Sequence, residues 1–66
     1  MTITQLKYVL AVAEHKNFTL AAEKCFVTQP TLSMQIQKIE EELNIQIFDR
    51  TKKPIQLTDI GLKIVT

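Results

Sequence analysis

A chain of 66 residues holds one small domain and one core, because a chain this short buries only about 60% of its unfolded surface. Aliphatic residues are plentiful while Gly, Pro and aromatics are scarce, a balance that suits a compact helical domain and argues against a sandwich or a disordered segment. A net charge of +1 lends no bulk support to nucleic-acid binding, and the single Cys25 rules out an intramolecular disulfide framework.

Thr2 followed three residues later by Gln5 fits a capping box. Leu6, Val9, Leu10 and Ala13 then recur at helical spacing, which predicts a first helix ending near His15 to Asn17. Phe18 anchors the chain after it, Thr19 offers an N-cap, and LAAEKC makes a short second helix whose Ala21 and Ala22 let a neighbour approach closely. Only FV separates that helix from Thr28, the expected N-cap of a third. Pro30 is tolerated there because first-turn amides lack helical partners in any case. Leu32, Ile36, Ile39 and Leu43 share a narrow arc at about 100° per residue and form its expected buried stripe, with Thr31, Met34 and Lys38 opposite.

After Asn44, IQIFDR is apolar and β-prone, TKKP is polar with a strand-terminating proline, and IQLT alternates with period two. The three pieces read as a small hairpin. Thr58 offers another N-cap, Asp59 sits near the positive end of a helix dipole, and Ile60, Ile64 and Val65 begin an apolar pattern. A helix of about two turns cannot bury that pattern in a domain already supplied with a core. The chain therefore reads as part of a longer protein, with a domain over 1–58 and the start of a further helix over 59–66.

Charge is polarised along the chain. Between Glu23 and Glu40 the only charges are Lys24 and Lys38, and Arg50, Lys52 and Lys53 cluster within four positions. Glu40, Glu41 and Glu42 gather at the far end of the third helix, so one end repels phosphate while the other can accept it. Helix, short helix, two-residue turn, longer helix and basic hairpin is the order of a mainly α winged helix-turn-helix: three helices, a two-stranded β-hairpin wing and the start of a linker helix.

In such a fold the longer helix enters the major groove of double-stranded DNA by its N-terminal turn, where free amides favour phosphate and short polar side chains reach base edges. Thr28, Gln29, Pro30 and Thr31 supply that tip. Gln29 carries the amide for a bidentate contact to adenine, and Thr31 or Ser33 can donate, accept or touch a thymine methyl. Met34, Gln35 and Lys38 follow one turn on, Lys38 toward phosphate. Arg50, Lys52 and Lys53 of the wing meet phosphates or a narrow minor groove, with a pairing of Arg50 to Asp49 as the alternative for that residue.

Plainer roles account for the other conspicuous residues. Cys25 on a short packed helix reads as core filling, and His15 near a helix end complements the dipole. The Glu40 to Glu42 run reads as a solvated helix end with one member reaching back to a lysine, and no metal or cofactor ligands converge on it. One Cys, one His and no Gly-rich phosphate cradle leave no nucleophile and base pair for an enzyme. With no signal-like start or long apolar run, the cytoplasm is the expected location and no membrane is involved. The rival to DNA binding is a winged-helix protein-docking module, which the near-neutral charge would suit.

The stretch FTLAAEKCFVTQPTLSMQIQKIEEELNIQIFDR, followed by LT and G in IQLTDIG, resembles the amino-terminal domain of LysR-type transcriptional regulators. AEHKNF, CFVTQPTLSMQI and RT look most like the peroxide-sensing OxyR subgroup. The resemblance implies a long linker helix that pairs two subunits into a homodimer or larger homo-oligomer, and a regulatory domain beyond it. A small-molecule or redox signal would act at that domain, so Cys25 is not carried over as a sensor. By the same resemblance Thr28, Gln29, Pro30, Thr31, Ser33 and Gln35 lie at the DNA surface and Arg50, Lys52 and Lys53 in the wing. Met34 departs from the Arg many members carry, and Gln37 is neutral in a segment that is often basic.

Overall fold

Each helix begins where a side chain takes over the backbone partners that the first turn lacks. In the computed structural model, which describes residues 1–66, α1 (Ile3–His15) starts at Thr2 with the full capping box. The Thr2 hydroxyl accepts from the Gln5 amide and the Gln5 side-chain oxygen accepts from the Thr2 amide, both at 3.0 Å. Thr28 caps α3 (Gln29–Leu43), with Pro30 in its first turn, and Thr58 caps α4 (Asp59–Val65). The second helix departs from expectation. α2 (Phe18–Lys24) is capped by Asn17 rather than Thr19, the Asn17 side-chain oxygen accepting from the Leu20 amide at 2.9 Å. Phe18 is already helical, and its ring meets Phe48 edge-on, the centroids 6.0 Å apart.

Three non-glycine residues hold left-handed backbone: Lys16, Phe26 and Asn44. Lys16 and Asn44 end α1 and α3 in the usual left-handed cap. Phe26 forms the turn between α2 and α3, its amide donating to the Glu23 carbonyl while the Val27 amide donates to the Ala22 carbonyl. Its ring is 95% exposed.

α1, α2 and α3 pack on one another around Val9, Val12, Ala21, Ala22, Leu32, Ile36 and Ile39, and Ile47 and Phe48 close the core from the wing side. Ala21 and Ala22 are buried in the seam, as foreseen. On α1, however, Val9 and Val12 are the buried pair while Leu6 and Leu10 are exposed, since that helix turns toward the bundle by the face that also carries Gln5 and Tyr8. On α3 Leu43 is exposed, and Glu40 takes its place in the interior at 6% exposure. Cys25 ends α2 half-buried at the margin of the core rather than within it.

The wing is shorter than its sequence pattern. β1 (Phe48–Asp49) runs antiparallel to β2 (Gln56–Leu57), with Phe48 opposite Leu57 and Asp49 opposite Gln56. Thr58 fastens its base. Its amide donates to the Ile47 carbonyl at 2.9 Å, its hydroxyl donates to the Gln46 and Ile47 carbonyls, and that hydroxyl also accepts from the Gly61 amide at 3.0 Å. α4 crosses so near that a Cβ on Gly61 would collide with the Ile47 carbonyl. No helix is long and apolar enough to cross a membrane, and no three His, Cys, Asp or Glu side chains gather to hold a metal ion.

Candidate nucleic-acid interface

The tip of α3 is a small hydrogen-bonded set. Thr28 accepts from the Thr31 amide at 3.3 Å and donates its hydroxyl to the Thr31 hydroxyl at 2.9 Å. Gln29, the first helical residue, donates from Nε2 to the Ser33 hydroxyl oxygen at 2.7 Å. Pro30 is exposed beside them, and Gln29, Thr31 and Ser33 are half-buried. The first-turn amides of a 15-residue helix and this polar set therefore face one region, where an anion gains from the dipole and base edges gain from the side chains.

One turn farther, the candidates diverge. Met34 is 54% exposed and Lys38 is exposed, so both are free to meet a surface. Gln35 is half-buried and turned toward α1, its Oε1 accepting from Gln5 Nε2 at 3.1 Å. Gln5 thus serves the cap of its own helix through Oε1 and braces α3 through Nε2.

In the wing, Lys52 and Lys53 are exposed and lie in no ion pair. Arg50 is different. Its guanidinium reaches the Glu40 carboxylate at 3.1 and 3.4 Å and Gln46 Oε1 at 3.4 Å, and it lies 5.3 Å from the centre of the Phe18 ring. Glu40 also accepts from the Ile47 amide at 2.8 Å and from the Phe48 amide at 3.3 Å. The expected solvated glutamate that reaches a lysine is therefore a buried acceptor that reaches an arginine and two wing amides, and Arg50 does not pair with Asp49. Asp49 instead accepts from the Thr51 hydroxyl and from the Thr51 amide at 3.0 Å. Those bonds, the hydroxyl's first, hold the Asp49 carboxyl below the ordinary carboxylate range, and Lys52 adds a smaller push the same way.

Sequence reasoning missed Glu40 and Gln5 as supports of the interface. Glu40 stands four residues after Ile36, beside the arc read as the buried stripe rather than on it. No sequence pattern announced that the amides of Ile47 and Phe48 would need its carboxylate.

A three-helix bundle with a short second helix, a tight turn, a polar-tipped third helix and a cation-bearing hairpin defines a winged helix-turn-helix domain. The family described as "Bacterial regulatory helix-turn-helix protein, lysR family" matches residues 3–62, and the chain belongs to that family. It is 45% identical over 65 residues to the DNA-binding transcriptional dual regulator OxyR of Escherichia coli K12, covering 98% of this chain and 21% of that protein. It is 46% identical over 61 residues to the HTH-type transcriptional regulator BenM of Acinetobacter baylyi, covering 92% and 20%. The crystal structure of a BenM DBD with benA site 1 DNA superposes with a TM-score of 0.95 at 43% identity, over 98% of this chain and 73% of that one. Full-length OxyR from Pseudomonas aeruginosa gives 0.92 at 46% identity, over 98% and 22%. The chain spans about a fifth of the length of the OxyR and BenM regulators it matches.

Proposed function

We propose that this chain is the DNA-reading end of a bacterial LysR-type transcription regulator, with α3 entering the major groove by its N-terminal turn and the wing resting on the backbone or in the adjacent minor groove. The observation that carries the reading is the tip itself. Thr28, Gln29, Pro30, Thr31 and Ser33 form an accessible polar set at the positive end of α3, while Leu32, Ile36 and Ile39 hold that helix in the core. The close superposition on a relative solved with DNA supports it.

In this reading Gln29 and Thr31 contact base edges, Lys38, Lys52 and Lys53 neutralise phosphate, and Met34 offers an apolar contact. Arg50 and Gln35 act as braces, Arg50 through the Glu40 carboxylate and Gln35 through its Oε1 on Gln5. Residues 1–58 form the reading domain and 59–66 begin a linker helix through which subunits pair. The regulator works in the cytoplasm on a site with approximate dyad symmetry, carries out no catalysis, and receives its small-molecule or redox signal outside these residues.

The test separates the two kinds of contact. Gln29→Ala should change the ranking of operator variants, whereas Lys53→Ala should weaken binding to all of them alike and flatten the salt dependence. Salt-insensitive capture of a protein, with no retarded duplex at any salt concentration, would instead establish the docking-module alternative.

A further inference from the structure

We infer that Met34 reads the C5-methyl group of a thymine, so that one position of the DNA site is chosen by apolar contact rather than by a hydrogen bond. The inference rests on the reading of α3 as the helix in the major groove. Leu32, Ile36 and Ile39 are wholly buried, whereas Met34 is 54% exposed and belongs neither to the core nor to the residues packed against it. At about 100° per residue it stands about 170° round the helix from the mean direction of those three, opposite the core. Pro30 one turn before it and Lys38 one turn after it are exposed on the same side. The side chain that faces the floor of the groove is therefore a thioether, with no donor and only a weak acceptor.

At the major-groove edge adenine, guanine and cytosine present hydrogen-bonding groups, and thymine alone adds a methyl group. A thioether pressed on N7, O6 or N4 displaces water from that group and returns no hydrogen bond, which leaves it unpaired. Against the thymine methyl it withdraws apolar surface from water on both sides. Its rotatable bonds let the side chain follow the methyl, and the polarizable sulfur adds dispersion contact. The preference follows from what the side chain lacks and does not depend on the direction of any donor.

Folding does not demand the methionine. Glutamine, lysine and glutamate form helix about as well and would keep the outer face polar, as the exposed Gln37, Lys38 and Glu41 do. Pro30 and Thr31 offer the other apolar carbons of that face, so the thymine that Met34 reads is identified by its coupling to Met34 alone.

The experiment selects from a random duplex pool the site this chain binds most tightly and replaces each of its thymines in turn by deoxyuridine, which removes the methyl and keeps the base pair. One replacement should weaken binding roughly three- to fivefold, the range for one methyl group returned to water. Met34→Ala should fold as before, bind the thymine duplex more weakly by a similar factor, and bind the uracil duplex no worse than the thymine one. At that position 5-methylcytosine should outbind cytosine for the native chain but not for Met34→Ala. The salt dependence should be the same for both proteins, since no phosphate contact is touched. If every thymine can be replaced without loss, if the loss persists in Met34→Ala, or if 5-methylcytosine gains nothing over cytosine, the inference is overturned, while Gln29→Ala and Lys53→Ala still decide whether α3 and the wing meet DNA. If no duplex is retained from the pool, the DNA reading itself fails, and the inference falls with it.

Discussion

Glu40 shows how one residue joins two parts of the interface. Its carboxylate is buried, yet every oxygen has a donor: the Ile47 and Phe48 amides on one side and the Arg50 guanidinium on the other. Glu40→Ala would leave two buried amides and a cation without their acceptor. The expected loss is about 2–3 kcal/mol, less than for a fully buried ion pair because Arg50 stays partly in water. Glu40→Gln keeps an oxygen for the amides and should lose clearly less, a difference that urea melts of the two variants would reveal. Gly61 is constrained more simply. Any Cβ there meets the Ile47 carbonyl, so Gly61→Ala should cost about 2–3 kcal/mol and lower the melting temperature by roughly 10 °C or more. Phe26 gives the opposite sign: a left-handed backbone under an exposed ring is relieved by Phe26→Gly, which should raise stability by up to about 1 kcal/mol in the same melts.

At the level of the elements, α3 and the wing are positioned by different means. The third helix is held by its apolar stripe and begun by Thr28, whose replacement by alanine should cost about 1 kcal/mol and fray the turn that carries Gln29. The wing has only two residues per strand, and side chains secure it: Glu40 and Thr58 at its base, Asp49 and Thr51 near its tip. Since the Asp49 carboxyl is held below its ordinary range, its bonds with Thr51 stabilise the fold fully above that range and are lost as pH falls through the lowered value. The Thr51 amide resonance should therefore move at acid pH together with the Asp49 carboxyl carbon, and Thr51→Val should bring the Asp49 titration back up. A Thr51 amide that ignores pH would show the bond to be absent in solution.

For the molecule as a whole, 8 cations and 7 acids nearly cancel, so location decides what the charge does. Lys38, Lys52 and Lys53 are exposed, and α3, about 22 Å long, extends across most of a body of 27 × 26 × 19 Å. Phosphate contacts release counterions, so the logarithm of the affinity for a duplex should fall with the logarithm of salt at roughly −0.9 per contact, and Lys53→Ala should reduce that slope by roughly one. A slope unchanged by the substitution would remove the wing from the interface. Glu41 and Glu42 at the opposite end of α3 are exposed and would repel phosphate there.

Much of this architecture was legible in the chain itself. Helix starts at Thr2, Thr28 and Thr58, the proline-bearing tip, the small residues Ala21 and Ala22 and the basic hairpin all follow from local chemistry, because caps, turns and periodicity act within a few residues. Leu43 was misread as core for a definite reason: periodicity marks an apolar face but does not say how far along it the neighbouring helices reach. The start of α2 was missed because Asn17 and Thr19 both suit an N-cap, and local chemistry alone did not choose between them. What only the tertiary structure decided was which polar side chains remain free. Arg50 looks like Lys53 along the chain, yet Glu40 engages it, and Gln35 is tied to Gln5 of another helix where Gln29 bonds only within its own, since hydrogen bonds between distant elements depend on how those elements pack and leave no trace in sequence spacing.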